Sequence, residues 1–312
     1  MGCNFIHLFR KERPDWPVVC LDALSYAGNL ANLESCWGNE NFRFVKGDIC
    51  DANCVGEIMG KRIDVVVNFA AESHVDRSIL GCQEFIRTNI QGVQVLLEAA
   101  RRGQVELLVQ ISTDEVYGSL GPQGAFSEST PLAPNSPYSA SKAGADMLVR
   151  AYYETYGLNT IITRCSNNYG PYQFPEKLIP LFVTNLLADK KVPVYGDGLN
   201  VRDWLFVEDN CTGIDAVYSR GAPGEIYNIG AGNEKTNLEI AKIILHILNK
   251  KEDQITFVKD RVGHDFRYSI ASEKIRNLGW HPSHSFDDAI LKTIEWYVQN
   301  EWWWKPLIRN VN

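Results

Sequence analysis

Ile111-Ser112-Thr113-Asp114-Glu115-Val116-Tyr117-Gly118, followed by Pro137-Tyr138-Ser139-Ala140-Ser141-Lys142, is the pair of segments whose reading decides the fold of this chain. The first leaves an apolar run, 105–111, that reads as a buried parallel strand, so Thr113, Asp114 and Glu115 are expected at its carboxyl end. In an open α/β sheet that edge is where ligands bind. The second reads as a helix start: Asn135 or Ser136 caps, Pro137 suits the first helical position, and Tyr138 and Lys142 lie four apart on one face. An ammonium one turn from a phenol favours the phenolate over its ordinary pKa of about 10, which makes the two a candidate pair for oxidising a hydroxyl.

The 312 residues suffice for one large α/β unit or two modest domains, and 45% hydrophobic content supplies a globular core. Net charge is −7 and neither sign gathers into long runs, which argues against nucleic acid and an anionic membrane as partners. A local basic pocket for an anionic substrate remains compatible with that balance. The eight cysteines are scattered, Cys50 and Cys54 being the closest pair. They show no paired zinc spacing, so reduced thiols and no metal are expected. No stretch approaches the roughly 18 apolar residues of a membrane span, and residues 1–15 hold no apolar signal core, so the expected location is cytoplasmic.

Thr113 followed by Tyr138-x-x-x-Lys142 resembles the catalytic set of the extended short-chain dehydrogenase/reductases, and Thr113-Asp114-Glu115 resembles the sub-pattern of their dTDP-glucose 4,6-dehydratase branch. Tyr-x-x-x-Lys alone arises often by chance on helices; its place after a strand ending in Thr-Asp-Glu is far more specific. The resemblance covers nearly the whole chain after Gly2. It implies a Rossmann-like, doubly wound parallel sheet with a smaller α/β substrate domain, NAD as cofactor, a nucleotide-sugar substrate and a homodimer. The helices expected over 84–102 and 138–156 would supply the dimer contact.

Residues 2–10 read as the beginning of a helix and Val18-Val19-Cys20-Leu21-Asp22 as a strand. In a dinucleotide-binding βαβ unit an acidic residue closing the second strand takes the ribose hydroxyls; Asp22 fits that place, and Gly2 fits the last glycine of the phosphate turn. The first strand and the two earlier glycines are expected to be absent, as on an enzyme sequence that has lost an N-terminal segment. The resemblance implies further cofactor contacts at Ser25, at Asp48 and Ile49 beside the adenine, at Ala70, Ala71 and Ser73 on the nicotinamide side, and at Thr88, Tyr138, Lys142 and Asn168. Their ordinary alternatives, a surface turn or a capping Asp, are set aside by order and spacing together. His74 reads as structural.

The NAD-binding domain is expected over 1–164, with 203–230 returning to it. The segment 164–171 reads as a polar loop entering the substrate domain, 165–202 and 231–312. For that domain the resemblance implies substrate contacts at Ser73, Thr113, Asn167, Lys177, Leu178, Pro193, Tyr195, Arg202, Asn237, Asp260, Arg261 and His264. Arg suits a diphosphate gripped by forked hydrogen bonds and Tyr195 suits stacking on a base, while Arg202-Asp203 reads equally as a surface ion pair. The last helix is expected over 286–300. Trp302, Trp303 and Trp304 cannot share one helix face, and read as packing against a neighbouring domain or subunit.

In the dehydratase reading Tyr138, with Lys142 and Thr113, takes the proton of a hexose 4-hydroxyl. Glu115 then removes the proton on carbon 5, and a protonated Asp114 donates to the leaving 6-hydroxyl. Adjacent carboxyls with opposite protonation demands are compatible with mutual repulsion and burial; the alternative is that both merely cap the following turn. A 4-epimerase or decarboxylase would keep Tyr138 and Lys142 without needing Asp114 and Glu115. A non-catalytic sugar-nucleotide-binding protein, lacking the glycine turn, is the alternative of another class.

Overall fold

The structure, a computed structural model, describes residues 1–309; the last three residues of the expected 231–312 segment lie outside them. The chain opens with α1 (Gly2–Glu12), β1 (Val18–Asp22), β2 (Phe42–Lys46), α2 (Ala52–Met59), β3 (Val65–Asn68) and α3 (Val75–Leu80). It continues through α4 (Gln83–Ile86), a π-helical turn (Arg87–Gly92) and α5 (Val93–Arg102) to β4 (Leu107–Thr113) and α6 (Pro137–Tyr156). The expected helix 84–102 is therefore interrupted at its centre. That π turn buries Asn89, whose amide is used elsewhere.

α6 begins as its sequence dictates. Ser136 and Ser139 form a reciprocal capping box, Pro137 stands at the start, and Gly157 closes the helix in the left-handed conformation at φ 68°. Beyond it come β5 (Thr160–Cys165), β6 (Asn167–Tyr169), α7 (Leu178–Leu187), β7 (Val192–Tyr195), β8 (Val201–Phe206), α8 (Val207–Arg220), β9 (Ile226–Ile229) and β10 (Glu234–Thr236). The last elements are α9 (Asn237–Ile247), β11 (Ile255–Val258), α10 (Glu273–Arg276), α11 (Phe286–Gln299) and α12 (Glu301–Arg309).

Two parallel sheets make the first half: a pair β1-β2 and a four-stranded sheet in the order β3-β4-β5-β9. Among the described residues no strand joins β1 to β3. Helices cover both faces. Phe5 and Leu8 of α1 pack with Val67, Val109, Ile161 and the α8 residues Cys211, Ile214 and Val217 on one side. On the other, α2, α5 and α6 pack through Val55, Leu97 and Val149 on Leu108 and Ile162, with Leu21 of β1 and Val66 of β3 at the margin. Every residue from Leu108 to Thr113 is buried, as a central parallel strand requires.

Two expectations are corrected here. Residues 167–169 are not loop but β6, running parallel to β8 in a sheet of order β10-β8-β6; pairing of Asn167–Tyr169 with Trp204–Phe206 outweighs the Gly/Pro content just beyond. The tryptophans, expected to pack against a neighbouring domain or subunit, divide between core and surface within this chain. They lie in α12, and Trp303 and Trp304 are buried in a second core built from α7, α9, α11 and the β6–β8 strands, while Trp302 faces outward. Their indoles donate to Asn32 Oδ1 at 2.7 Å and Tyr297 O at 2.8 Å, which gives each buried N–H a partner. Trp304→Ala should therefore lower the free energy of unfolding by about 3–5 kcal/mol in a urea titration.

Candidate active site

At the carboxyl end of β4 the chain turns sharply. Thr113 caps the short 3-10 turn Asp114–Tyr117: its hydroxyl accepts from Glu115 N and donates to Asp114 Oδ1, both at 3.3 Å. Asp114 is buried and its Oδ2 has no partner. Burial, then the charges of Glu115 and Asp203, push its carboxyl well above the ordinary range. Burial also raises the adjacent Glu115, but Arg261, Arg202 and Lys177 pull it back down. Both carboxyls are thus raised, with anionic neighbours adding to the rise at Asp114 and cations opposing it at Glu115.

Tyr138 and Lys142 face this turn from α6, both buried. The phenol is pushed well up by burial, Glu115 and Cys165, with the Thr113 hydroxyl acting against them. Lys142 Nζ donates to Ile111 O at 2.7 Å. The expected easing of Tyr138 by its lysine is therefore outweighed in this state by burial and by Glu115.

Around the centre the substrate side gathers basic groups. Lys177 Nζ donates to Ser73 O at 2.6 Å, and Arg261 keeps a buried Nε without a partner while its Nη1 lies 4.0 Å from Asp76. Arg202 and Asp203 are both buried, which overturns the surface ion pair: Arg202 donates to the carbonyls of Val201, Asp265 and Phe266 over the Tyr268 ring, and Asp203 accepts from Asn233 N. His264 pairs with Asp260 at 2.6 Å, and Tyr195 bonds Asp76 through its hydroxyl and meets His264 edge-on. Asn167, Asn168 and Asn237 each bury an amide oxygen that nothing in the chain satisfies. Leu178 opens α7 and Pro193 lies in β7, both half-buried.

The opposite wall is fit for a dinucleotide. The N-terminus of α1 has no side-chain cap, and Gly2 lies against Phe69 just past β3. Asp22 closes β1, with Ser25 in the loop after it. Ala70 N bonds Asn68 Oδ1, and the Asn89 amide clasps Glu72 through both backbone groups and Ser141 Oγ, fixing the 70–73 loop beside α6. Ile49 is buried against Gly92. The Asp48 carboxylate is held by Arg87 and Cys50 N. Thr88 is half-buried, and the neighbouring Asn89, fully buried, makes the structural bonds there.

A family model described as GDP-mannose 4,6 dehydratase matches residues 1–293. The chain belongs to this family. A dTDP-glucose 4,6-dehydratase of Streptomyces niveus is 52% identical over 291 residues, 93% of this chain and 86% of that relative. The crystal structure of DesIV, the dTDP-glucose 4,6-dehydratase of Streptomyces venezuelae, with NAD bound superposes at TM-score 0.95 and 51% identity over 98% of this chain and 96% of that one. A Thermus thermophilus UDP-glucose 4-epimerase in complex with NAD reaches 0.89 at 26% identity, each chain covered to 96%.

Sequence reasoning missed several buried polar groups that shape the site. Glu176 accepts from Tyr26 OH at 2.7 Å and lies 3.6 Å from both His74 and Arg77, joining the loop after β1, the loop after β3 and the start of α7. No spacing announces it. Arg164 and Asp146 form a fully buried ion pair at 2.9 Å, and Arg164 Nη1 donates to Tyr117 OH, which donates to Asn228 Oδ1. Asp146 continues the 138–142 spacing by one more turn, a signal that was legible. Tyr117→Phe would strand two buried partners at once; denaturation by urea should show a loss of about 1–3 kcal/mol.

Proposed function

We propose that this chain binds NAD in the crevice and removes water from a nucleoside-diphosphate hexose, dTDP-glucose, to give a 4-keto-6-deoxy sugar. The observation that carries this reading is the pair Asp114 and Glu115 at the strand end facing Tyr138, the first buried with an unpartnered Oδ2 and pushed well up, the second with Arg261, Arg202 and Lys177 around it. An epimerase has no use for such a pair, and the likeness to dehydratases at 51% identity exceeds the likeness to an epimerase at 26%.

NAD, when bound, supplies the two-electron acceptor that oxidises carbon 4 and later returns the electron pair at carbon 6. Asp22 and Ser25 would meet the ribose, Asp48, Ile49 and Thr88 the adenine half, and Ala70, Ala71, Ser73 and Asn168 the nicotinamide half beside Tyr138 and Lys142. Lys177 and Arg261 would meet the diphosphate, with Arg202 behind them. Tyr138 receives the proton of the 4-hydroxyl, aligned by Thr113, once cationic charge offsets its burial. With carbon 4 a ketone, the proton on carbon 5 is acidic and passes to Glu115. Asp114 protonates the 6-hydroxyl, which leaves as water. A proton then returns to carbon 5 from Glu115.

The homodimer and a cytoplasmic location complete the proposal. Ile86 and Met147, about half exposed on the two helical stretches expected to pair, are apolar surface for a second copy, and all eight cysteines are free, as a reducing compartment maintains. Among the described residues no helix is long and apolar enough to cross a membrane.

Mass analysis of dTDP-glucose after incubation with the protein tests the function: loss of one water is expected. Glu115→Gln should still oxidise carbon 4 yet slow dehydration by about 10²-fold or more, and an unimpaired variant would remove Glu115 from its role. Lysine at Ile86 and Met147 together should convert a dimer to a monomer in sedimentation velocity.

A further inference from the structure

Tyr138, Lys142 and Asp146 occupy successive turns of one face of α6, and all three are buried, Asp146 completely. The last of these has no part in the chemistry above. One of its oxygens is taken by Arg164 Nε at 2.9 Å; the other, Oδ1, is buried and faces the Ser112 hydroxyl of β4. Lys142 meanwhile has one hydrogen bond, to Ile111 O. A lysine shut away from water loses its proton unless an anion answers it.

We propose that Asp146 is a positioning residue for the reaction: clamped by Arg164, it keeps the Lys142 ammonium charged inside a dry site, so that the cation needed beside Tyr138 is present at neutral pH. Charge counting supports the arrangement. Arg164, Asp146 and Lys142 together carry one positive charge in a buried space, and a Tyr138 phenolate cancels it. Burial pushes the Lys142 ammonium down, and the groups that oppose it are Asp146 from its own helix and the Cys165 thiol from β5. Cys165 is pushed up to about 12 by burial and by Asp114, so it is neutral and leaves Asp146 as the anion. Asp146 is faced by Arg164 from β5, Lys142 from α6 and Ser112 from β4; burial raises its carboxyl while all three lower it. Behind Arg164, Tyr117 and Asn228 fix the guanidinium, so the carboxylate has little freedom to turn away.

The test is a titration of the ligand-free protein carrying ¹³C-lysine, with the Lys142 ε-carbon resonance assigned by its loss in Lys142→Met. The parent midpoint should lie above about 9. In Asp146→Asn it should fall by at least about one pH unit, and Asp146→Glu should restore it. The double variant Asp146→Asn with Arg164→Met removes both charges of the pair, so it leaves no buried guanidinium unpaired if the single variant fails to fold; the same fall is expected. A parent midpoint below about 8, or an unmoved midpoint in the double variant, would overturn the proposal. The catalytic consequence rests on the dehydratase reading: the alkaline limb of turnover should move to lower pH by the same unit, about tenfold at a fixed alkaline pH. Because the resonance is read without substrate or cofactor, absence of dehydration would sink that reading while the titration still decides the role of Asp146.

Discussion

A central strand with no access to water, ending in groups that must be wetted or paired, is the constraint on which the rest of this structure depends. β4 is buried along its length and bonded to β3 and β5, but β3 stops at Asn68 opposite Gln110 while β4 runs three residues further. Past that point backbone and side chains need other partners. The Ile111 carbonyl finds Lys142, Thr113 folds back to cap the next turn, and Asp114 is left with an oxygen that no group in the chain satisfies. Reactive groups accumulate there because the sheet has run out of strand.

The architecture was legible wherever periodicity and caps agreed. The Ser136/Pro137 start of α6, the apolar run of β4, Asp22 at the end of β1 and the helix opening at Asn237 all followed from local rules. What escaped were features decided by distant partners. Asn167–Tyr169 became a strand because Trp204–Phe206 offered an edge, and Trp303 and Trp304 of α12 were buried because α7, α9 and α11 left a space for them. The same holds in the site. The turn residues could be named from their order, yet whether Arg202 lies on the surface or beneath it, and whether Asp48 is free or tied to Arg87, depends on neighbours far along the chain.

The two halves are also built by different means. The first is layered, helices over parallel sheet, and its buried polar groups include Gln110 within β4, Asn89 in the π turn, Lys142 on α6 and the Arg164–Asp146 pair. The second has short strands and a mainly aromatic and aliphatic core, with Tyr169, Phe182, Trp204, Phe286, Tyr297 and Trp304 in one cluster. Basic side chains from the second half reach carboxyls from the first across the crevice. Glu176 and Lys177 sit at that junction and touch loops of both.

The separation of the β1-β2 pair from the four-stranded sheet has a consequence for how the molecule breathes. Amides of β4 and β5 are hydrogen-bonded into neighbours on both sides, so their hydrogens exchange with solvent only through openings that approach global unfolding. β1 is bonded to β2 alone, and its residues are half-buried or exposed. Amides of this pair, which carries Asp22, are expected to exchange sooner than those of the central strand, and ligands that bridge the two would slow their exchange most.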